Sequence, residues 1–175
     1  NDSANTCYLI NSMAEKIGFN FRAFHIPKTV DNDLLVTDHC PGFGTAAKFV
    51  ACALIGDDLD NRALPGIKID VLMGRHAGFL TGASVLGKVR EDDGPHLVYL
   101  PERSITIDKF LADVEGVYRK LGRCVVAVSE GICDTDQVTW IEKIAQTQER
   151  DSHNNVQLSG TGALADYLAN QIKSK

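Results

Sequence analysis

The chain has 175 residues, enough for one domain of ordinary size. Acidic residues outnumber basic residues by 23 to 18, which argues against general nucleic-acid binding, where a basic surplus is expected. Hydrophobic residues make up 44% of the chain, and no apolar run approaches the ~20 residues that span a bilayer, so the composition predicts a globular protein that does not enter a membrane.

The cysteines predict a reducing compartment. There are five, an odd number without CxxC spacing, and most lie in apolar or helical surroundings. Free thiols explain this pattern better than disulfides or zinc ligands, so we expect a cytoplasmic protein.

Hydrophobic periodicity predicts an alternation of helices and strands. Residues 124–128 form an unbroken apolar run, which is typical of a strand buried on both faces of a parallel sheet. The alternation therefore predicts an α/β fold with parallel crossovers. In chain order we expect a helix between Ser3 and Gly18, a strand over 21–26, a long loop over 27–42, a helix over 44–59, a strand over 67–73, a helix over 78–87, a strand over 96–100, a helix over 107–121 capped by Thr106, the strand over 124–128, a short helix near Trp140 and a terminal helix over 164–172.

Polar clusters follow three of the predicted strands, at 27–33, 74–76 and 129–131. Ligands of open α/β sheets bind outside the carboxyl ends of the strands, so these clusters are expected to meet in one crevice. The residues concerned are Lys28, Asp31, Asp33, Arg75 and Glu130. Carboxylates that meet cations in this way suit phosphate and hydroxyl chemistry.

Each of these residues also has a structural interpretation. The segment 31–33 could be an ordinary turn, Lys28 a solvated lysine, His76 a structural histidine and Glu130 the start of a turn. The residues by themselves therefore indicate no more than a phosphate-handling α/β domain.

Sequence motifs carry the argument further. Residues 26–34, IPKTVDNDL, resemble the PKTIDND signature of the phosphofructokinase family, and residues 72–80, LMGRHAGFL, resemble its MGR segment. Three more segments fall in that family's order and spacing: PGFGTAAK at 41–48, YLPE at 99–102 and AVSEGI at 127–132. LSGTGAL at 158–164 resembles the segment ahead of the family's sugar-phosphate clamp.

The resemblance implies a parallel-sheet phosphofructokinase-like fold in a partial chain. Residues 1–42 would form the tail of the phosphate-donor domain, and residues 43–175 an incomplete fructose 6-phosphate domain. The implied reaction is transfer of a phosphoryl group to the 1-hydroxyl of fructose 6-phosphate, giving fructose 1,6-bisphosphate in a reversible step of glycolysis.

The residue at position 2 bears on the donor. By resemblance, Asn1-Asp2-Ser3 is the tail of a glycine-rich phosphate loop, and ATP-dependent members carry glycine where Asp2 stands. A carboxylate there would occupy the space of the nucleotide α-phosphate and repel its charge, whereas pyrophosphate stops short of it. Asp2, supported by Lys28, therefore indicates the pyrophosphate-dependent branch, with Mg²⁺ as cofactor.

The resemblance also implies roles for individual residues. Asp31 would be the catalytic base, Arg75 would stabilise charge on the transferred group, and Lys28 would act as a point charge on the donor. The sugar phosphate would be bound by Thr29, Val30, Asp31, Met73, Gly74, Arg75 and Glu130. Asn1 and Asp33 are weaker candidates for the metal shell.

Two departures limit these expectations. Gly66 stands where members often carry an arginine that reaches the sugar phosphate of a neighbouring subunit, and the chain stops at Lys175, before the family's downstream 6-phosphate clamp. We therefore expect the 175-residue piece to be inactive by itself. An ATP-dependent enzyme and a non-catalytic regulatory subunit remain alternatives, and a homo-oligomer, dimeric or tetrameric, is expected.

Overall fold

The computed structural model describes residues 2–26, 28–144 and 162–175, with only the backbone of Asp2. Three parallel strands form its sheet: β1 (Ile67–Leu72), β2 (Leu97–Tyr99) and β3 (Cys124–Ser129), in the order β1-β3-β2. The register places Leu72 opposite Ser129 and Leu97 opposite Val126. The predicted α/β class with parallel crossovers is confirmed.

The described residues also form six helices. They are α1 (Asp2–Lys16), α2 (Phe43–Ala63), α3 (Phe79–Ala83), which continues into a 3₁₀ turn over Ser84–Gly87, α4 (Ile107–Leu121), α5 (Trp140–Ile144) and α6 (Ala163–Lys173). The predicted cap of α4 is confirmed, because the Thr106 hydroxyl accepts a hydrogen bond from Lys109 N–H.

The core lies on both faces of β3, whose six residues are all buried. On one face Phe110 of α4 and Trp140 of α5 pack edge to face, and Leu168 of α6 completes the layer. On the other face Leu54 of α2 packs against Val125. Burial on both faces explains why the β3 sequence is apolar without alternation.

The strand predicted over 21–26 is wrong, because residues 19–26 form no regular secondary structure. The side chains of Phe24 and Ile26 are each 83% exposed. Aromatic and β-branched residues favour a strand only where a neighbouring strand pairs with them and a core covers one face. Neither is present among the described residues. Ser3 also differs from its predicted role as a cap, because it lies inside α1.

All five cysteines are free, as predicted, although only Cys40, Cys124 and Cys133 are buried, and Cys52 is exposed. No helix in the described ranges is both long and apolar enough to cross a membrane.

A buried ion-pair network ties α2 to the turn before β2. Arg123 is 7% exposed and forms an ion pair with Asp58, which is 4% exposed. The same guanidinium donates to the Asp92 carbonyl at 2.6 Å, and Arg62 Nε donates to Asp58 Oδ2 at 2.9 Å. The network links the end of α2 to the start of β3, at the end of the sheet opposite to the polar loops.

Candidate active site

The loop from residue 28 to residue 42 is held in place by a side chain that the sequence analysis did not single out. Asn32 is 5% exposed, and its amide donates to the Asp38 carbonyl at 3.2 Å and accepts from Cys40 N–H at 2.7 Å. Its φ of 58° lies in the left-handed region, which asparagine tolerates better than most residues. The sequence feature that could have indicated this role is an asparagine between two aspartates in a polar loop.

Two more contacts fix the acidic segment of this loop. The side chain of Val30 packs beside Ala47 and Leu80, so a substrate contact at this position would have to come from the backbone. The Thr29 hydroxyl accepts from Asp31 N–H at 3.2 Å. Asp31 is thus presented on an anchored backbone, although it lies in a loop.

The segment after β1 turns sharply at Gly74, whose φ is 132°. Only glycine adopts this conformation without strain, and a Cβ would also lie 3.6 Å from the Ala77 carbonyl carbon and closer to its oxygen. Gly78 N–H donates to Glu102 Oε1 at 2.7 Å, so the turn after β2 braces this segment. Sequence reasoning assigned no role to Glu102. Arg75 is half-buried here, and Met73 is 53% exposed.

Glu130 joins the ends of β1 and β3. Its N–H donates to the Leu72 carbonyl at 2.9 Å, which extends the parallel ladder by one bond. Its carboxylate oxygen Oε1 accepts from Gly74 N–H at 3.4 Å. The two loops therefore leave the sheet side by side, as expected for the carboxyl ends of adjacent parallel strands.

The charged groups of the acidic loop and of the strand ends lie close enough to influence one another electrostatically. Burial raises the pKa of Asp31, the neighbouring Asp33 carboxylate adds to that rise, and the positive charges of Arg75 and His76 oppose it. Burial also raises the pKa of Glu130, and the nearby Asp31 carboxylate raises it further. The hydrogen bond from the Gly74 amide and the positive charge of Arg75 lower it.

The structure thus brings together Asp31, Asp33, Arg75 and Glu130, which the sequence placed in one crevice. Lys28 lies exposed at the start of the loop. Asn1 and the side chain of Asp2, on which the donor and part of the metal argument depend, lie outside the described residues.

The arrangement suits proton transfer from a bound hydroxyl. Asp31 Oδ1 is buried and has no hydrogen-bond partner in the described structure, so this oxygen lacks the hydrogen bond that a buried carboxylate ordinarily has. The Arg75 guanidinium supplies positive charge nearby, and the Gly74 amide and Glu130 carboxylate supply a donor and an acceptor. Within the described ranges no group of three His, Cys, Asp or Glu side chains is arranged to hold a metal.

The chain belongs to the phosphofructokinase family, whose family model matches residues 2–173. It is 58% identical over 175 residues to the pyrophosphate--fructose 6-phosphate 1-phosphotransferase of Rhodospirillum rubrum and 39% identical over 179 residues to that of Xanthomonas campestris. Both matches cover 100% of this chain, and they cover 43% and 41% of the two relatives.

A solved structure gives the same result. The crystal structure of the pyrophosphate-dependent phosphofructokinase from Marinobacter aquaeolei is similar over 99% of this chain and 39% of its own, with a TM-score of 0.71 and 33% identity. The resemblance derived from the motifs and the phosphofructokinase-like fold are thereby confirmed. The chain spans about two fifths of the length of these relatives.

Proposed function

We propose that the protein to which this chain belongs transfers a phosphoryl group from magnesium pyrophosphate to the 1-hydroxyl of fructose 6-phosphate. The product is fructose 1,6-bisphosphate, and the step is reversible and belongs to glycolysis. The observation that carries the proposal is the grouping of Asp31, Arg75 and Glu130, from three separate segments, at the carboxyl edge of the sheet. The 58% identity over the whole chain supports the choice of substrates.

Phosphoryl transfer requires an attacking oxygen in line with the donor, a base for its proton and positive charge at the transferred group. Asp31 is assigned as the base by its match to the family motif, and a pKa raised by burial supports that role. Arg75 stabilises the negative charge of the transferred group, and Glu130 accepts hydrogen bonds from sugar hydroxyls. Met73, Gly74 and Thr29 line the sugar, with the backbone of Val30.

The donor assignment rests on Asp2 and Lys28. Lys28 is exposed at the start of its loop, where its flexible side chain can reach a phosphate. Asp2 is proposed as the residue that excludes the nucleotide α-phosphate, as its charge and position in the phosphate loop imply. ATP dependence is the alternative that this assignment must exclude.

The described residues fit magnesium only as an ion that arrives with its phosphate ligand. Mg²⁺ keeps several waters and is usually bound through one or two carboxylates together with substrate phosphates. The neighbouring carboxyl groups of Asp31 and Asp33 are of the type that such an ion binds. Asp33 and Asn1 would hold the hydrated ion, which neutralises phosphate charge when bound.

The first test is a kinetic comparison on the protein in its full natural length. Formation of fructose 1,6-bisphosphate is followed with fructose 6-phosphate, Mg²⁺ and either pyrophosphate or ATP. We expect turnover with pyrophosphate and none with ATP. Turnover with ATP alone would refute the donor assignment, and binding of fructose 6-phosphate without turnover would identify a regulatory subunit.

The second test removes the base. Asp31→Asn should lower kcat by about 10²- to 10⁴-fold, because the amide cannot take the hydroxyl proton. It should also remove the acidic limb of the pH profile of kcat/KM, which we expect above the ordinary carboxyl range because the pKa of Asp31 is raised. Asp38→Asn is the matched control, because that exposed side chain lies in the same loop. A kcat for Asp31→Asn equal to that of the control would contradict the assignment.

Several expectations depend on the whole protein and are proposed with it. These are a division at residue 42 between the donor domain and the fructose 6-phosphate domain, a cytoplasmic location and assembly into a dimer or tetramer. The isolated 175-residue piece is expected to show no turnover, since it spans about two fifths of the relatives' length.

A further inference from the structure

A single buried hydroxyl bridges the two loops that carry Arg75 and Glu130. Ser129 is the last residue of β3 and is fully buried, at 0% exposure. Its Oγ donates a hydrogen bond to the Gly74 carbonyl and accepts one from Gly131 N–H at 3.3 Å. One side-chain atom thus bonds to both segments at the carboxyl edge of the sheet.

The two bonded groups lie next to the functional side chains in the chain. The Gly74 carbonyl belongs to the same planar peptide unit as Arg75 N, and Gly131 N belongs to the same unit as the Glu130 carbonyl. Holding these two peptide planes fixes the directions in which the side chains of Arg75 and Glu130 leave the backbone. Ser129 itself is too deeply buried to reach a ligand.

Both peptide planes need such a restraint, because each adjoins a glycine. Glycine has access to most of the backbone conformational space, so a peptide unit beside it reorients at little cost. Gly74 already has a φ of 132°, and Gly131 approaches Arg75 so closely that a Cβ would lie 2.6 Å from the Arg75 carbonyl carbon. The hydroxyl of Ser129 selects one orientation where the backbone alone would allow several.

We propose that Ser129 is a positioning residue that holds Arg75 and Glu130 in register for the sugar phosphate. The proposal rests on the proposed function, because it concerns the same site. Its physical basis is the buried bridge: removing the hydroxyl leaves the Gly74 carbonyl and the Gly131 N–H without that partner. Ser129 acts through its neighbours and touches neither substrate.

The kinetic test uses the protein in its full natural length. Ser129→Ala should raise KM for fructose 6-phosphate by about 10-fold, as expected for loss of a buried hydrogen-bonding partner, and should leave KM for pyrophosphate within about twofold. Ser129→Thr keeps the hydroxyl and should restore most of the affinity. Ser129→Cys keeps the volume with a weaker hydrogen bond, should give an intermediate KM, and replaces the alanine variant if that variant does not fold.

Ser84→Ala is the matched control. Ser84 is also buried, at 1% exposure, and its hydroxyl donates to the Thr81 carbonyl at 2.6 Å, but this bond closes a single helical turn. The control should lower the melting temperature without changing either KM. A Ser129→Ala variant that loses stability with an unchanged KM for fructose 6-phosphate would show a merely structural role and overturn the proposal.

A readout that needs no activity separates this proposal from the proposed function. Hydrogen exchange of the ligand-free protein should become faster in Ser129→Ala at both 73–78 and 129–132, and stay unchanged at both in Ser84→Ala. Faster exchange at 129–132 alone would overturn the bridge. If the wild-type protein shows no turnover with pyrophosphate, the proposed function fails, while the exchange data still decide whether Ser129 couples the loops.

Discussion

Replacing Gly131 with alanine should damage both the stability and the site, because the added methyl group has no space. An ideal Cβ at this position would lie 2.6 Å from the carbonyl carbon of Arg75 and 2.9 Å from its Cα, and closer still to its carbonyl oxygen. Carbon atoms in contact normally stand about 3.5–4.0 Å apart, so the two loops would have to separate by about 1 Å. The atoms that must move are backbone, which cannot give way by a change of rotamer.

The magnitude follows from the nature of this overlap. Forcing an extra methyl group into a packed site costs about 1–3 kcal/mol, and the rigid backbone on both sides favours the upper part of that range. The displacement would also carry Arg75 away from Glu130, so KM for fructose 6-phosphate should rise together with the loss of stability. Denaturant unfolding monitored by circular dichroism measures the first effect, and steady-state kinetics measures the second.

Gly116→Ala is the matched control for this experiment. Gly116 lies in the middle of α4 and is exposed. A Cβ added there would have no neighbouring atom within 4 Å outside the backbone of its own helix. This substitution should stabilise the protein by about 0.5–1 kcal/mol, because alanine is the better helix former. Equal stabilities for Gly131→Ala and the wild type, with an unchanged KM, would refute the close approach of the two loops.

Two further predictions concern ionisable groups away from the candidate site. Burial raises the pKa of Asp70 from 3.8 to about 6, and the Asp57 carboxylate adds to the rise, so the folded state holds this proton more tightly than the unfolded chain and stability falls as the pH rises through that range. Asp70→Asn should therefore be more stable than the wild type by up to about 3 kcal/mol above pH ~7 and no more stable below pH ~4. Urea unfolding across this pH range would check the prediction, and a constant difference would contradict it. Arg123→Met should lower the free energy of unfolding by about 3 kcal/mol, because it leaves the buried Asp58 carboxylate short of a partner. Arg119→Met, at an exposed ion pair on α4, should change the free energy of unfolding by less than about 0.5 kcal/mol, and similar losses for both variants would contradict the buried network.

Local patterns determined much of the scaffold without any tertiary information. The apolar run over 124–128 predicted the central strand, because a strand covered on both faces has no polar side to display. Thr106 predicted the start of α4, since the capping bond is made within one turn of the same helix. The strand predicted over 21–26 was wrong for the complementary reason. A strand exists only where another strand pairs with it, and its own residues do not specify that partner.

Some features of the candidate site likewise followed from the sequence, and others only from the tertiary structure. The sequence by itself selected the groups proposed for the chemistry: Arg75 and Glu130 follow strands that periodicity identified, and Asp31 was selected because it falls in a recognisable motif. Only the tertiary structure decided how they are held: by Asn32, whose φ is left-handed, by Glu102 in the turn after β2 and by the buried hydroxyl of Ser129. Asn32 bonds within its own loop, but its left-handed φ and its burial appear only in the folded chain. The Glu102–Gly78 and Ser129–Gly74 contacts join segments 24 and 55 residues apart, because the folded sheet brings those segments together, and patterns within a single segment do not reveal such contacts.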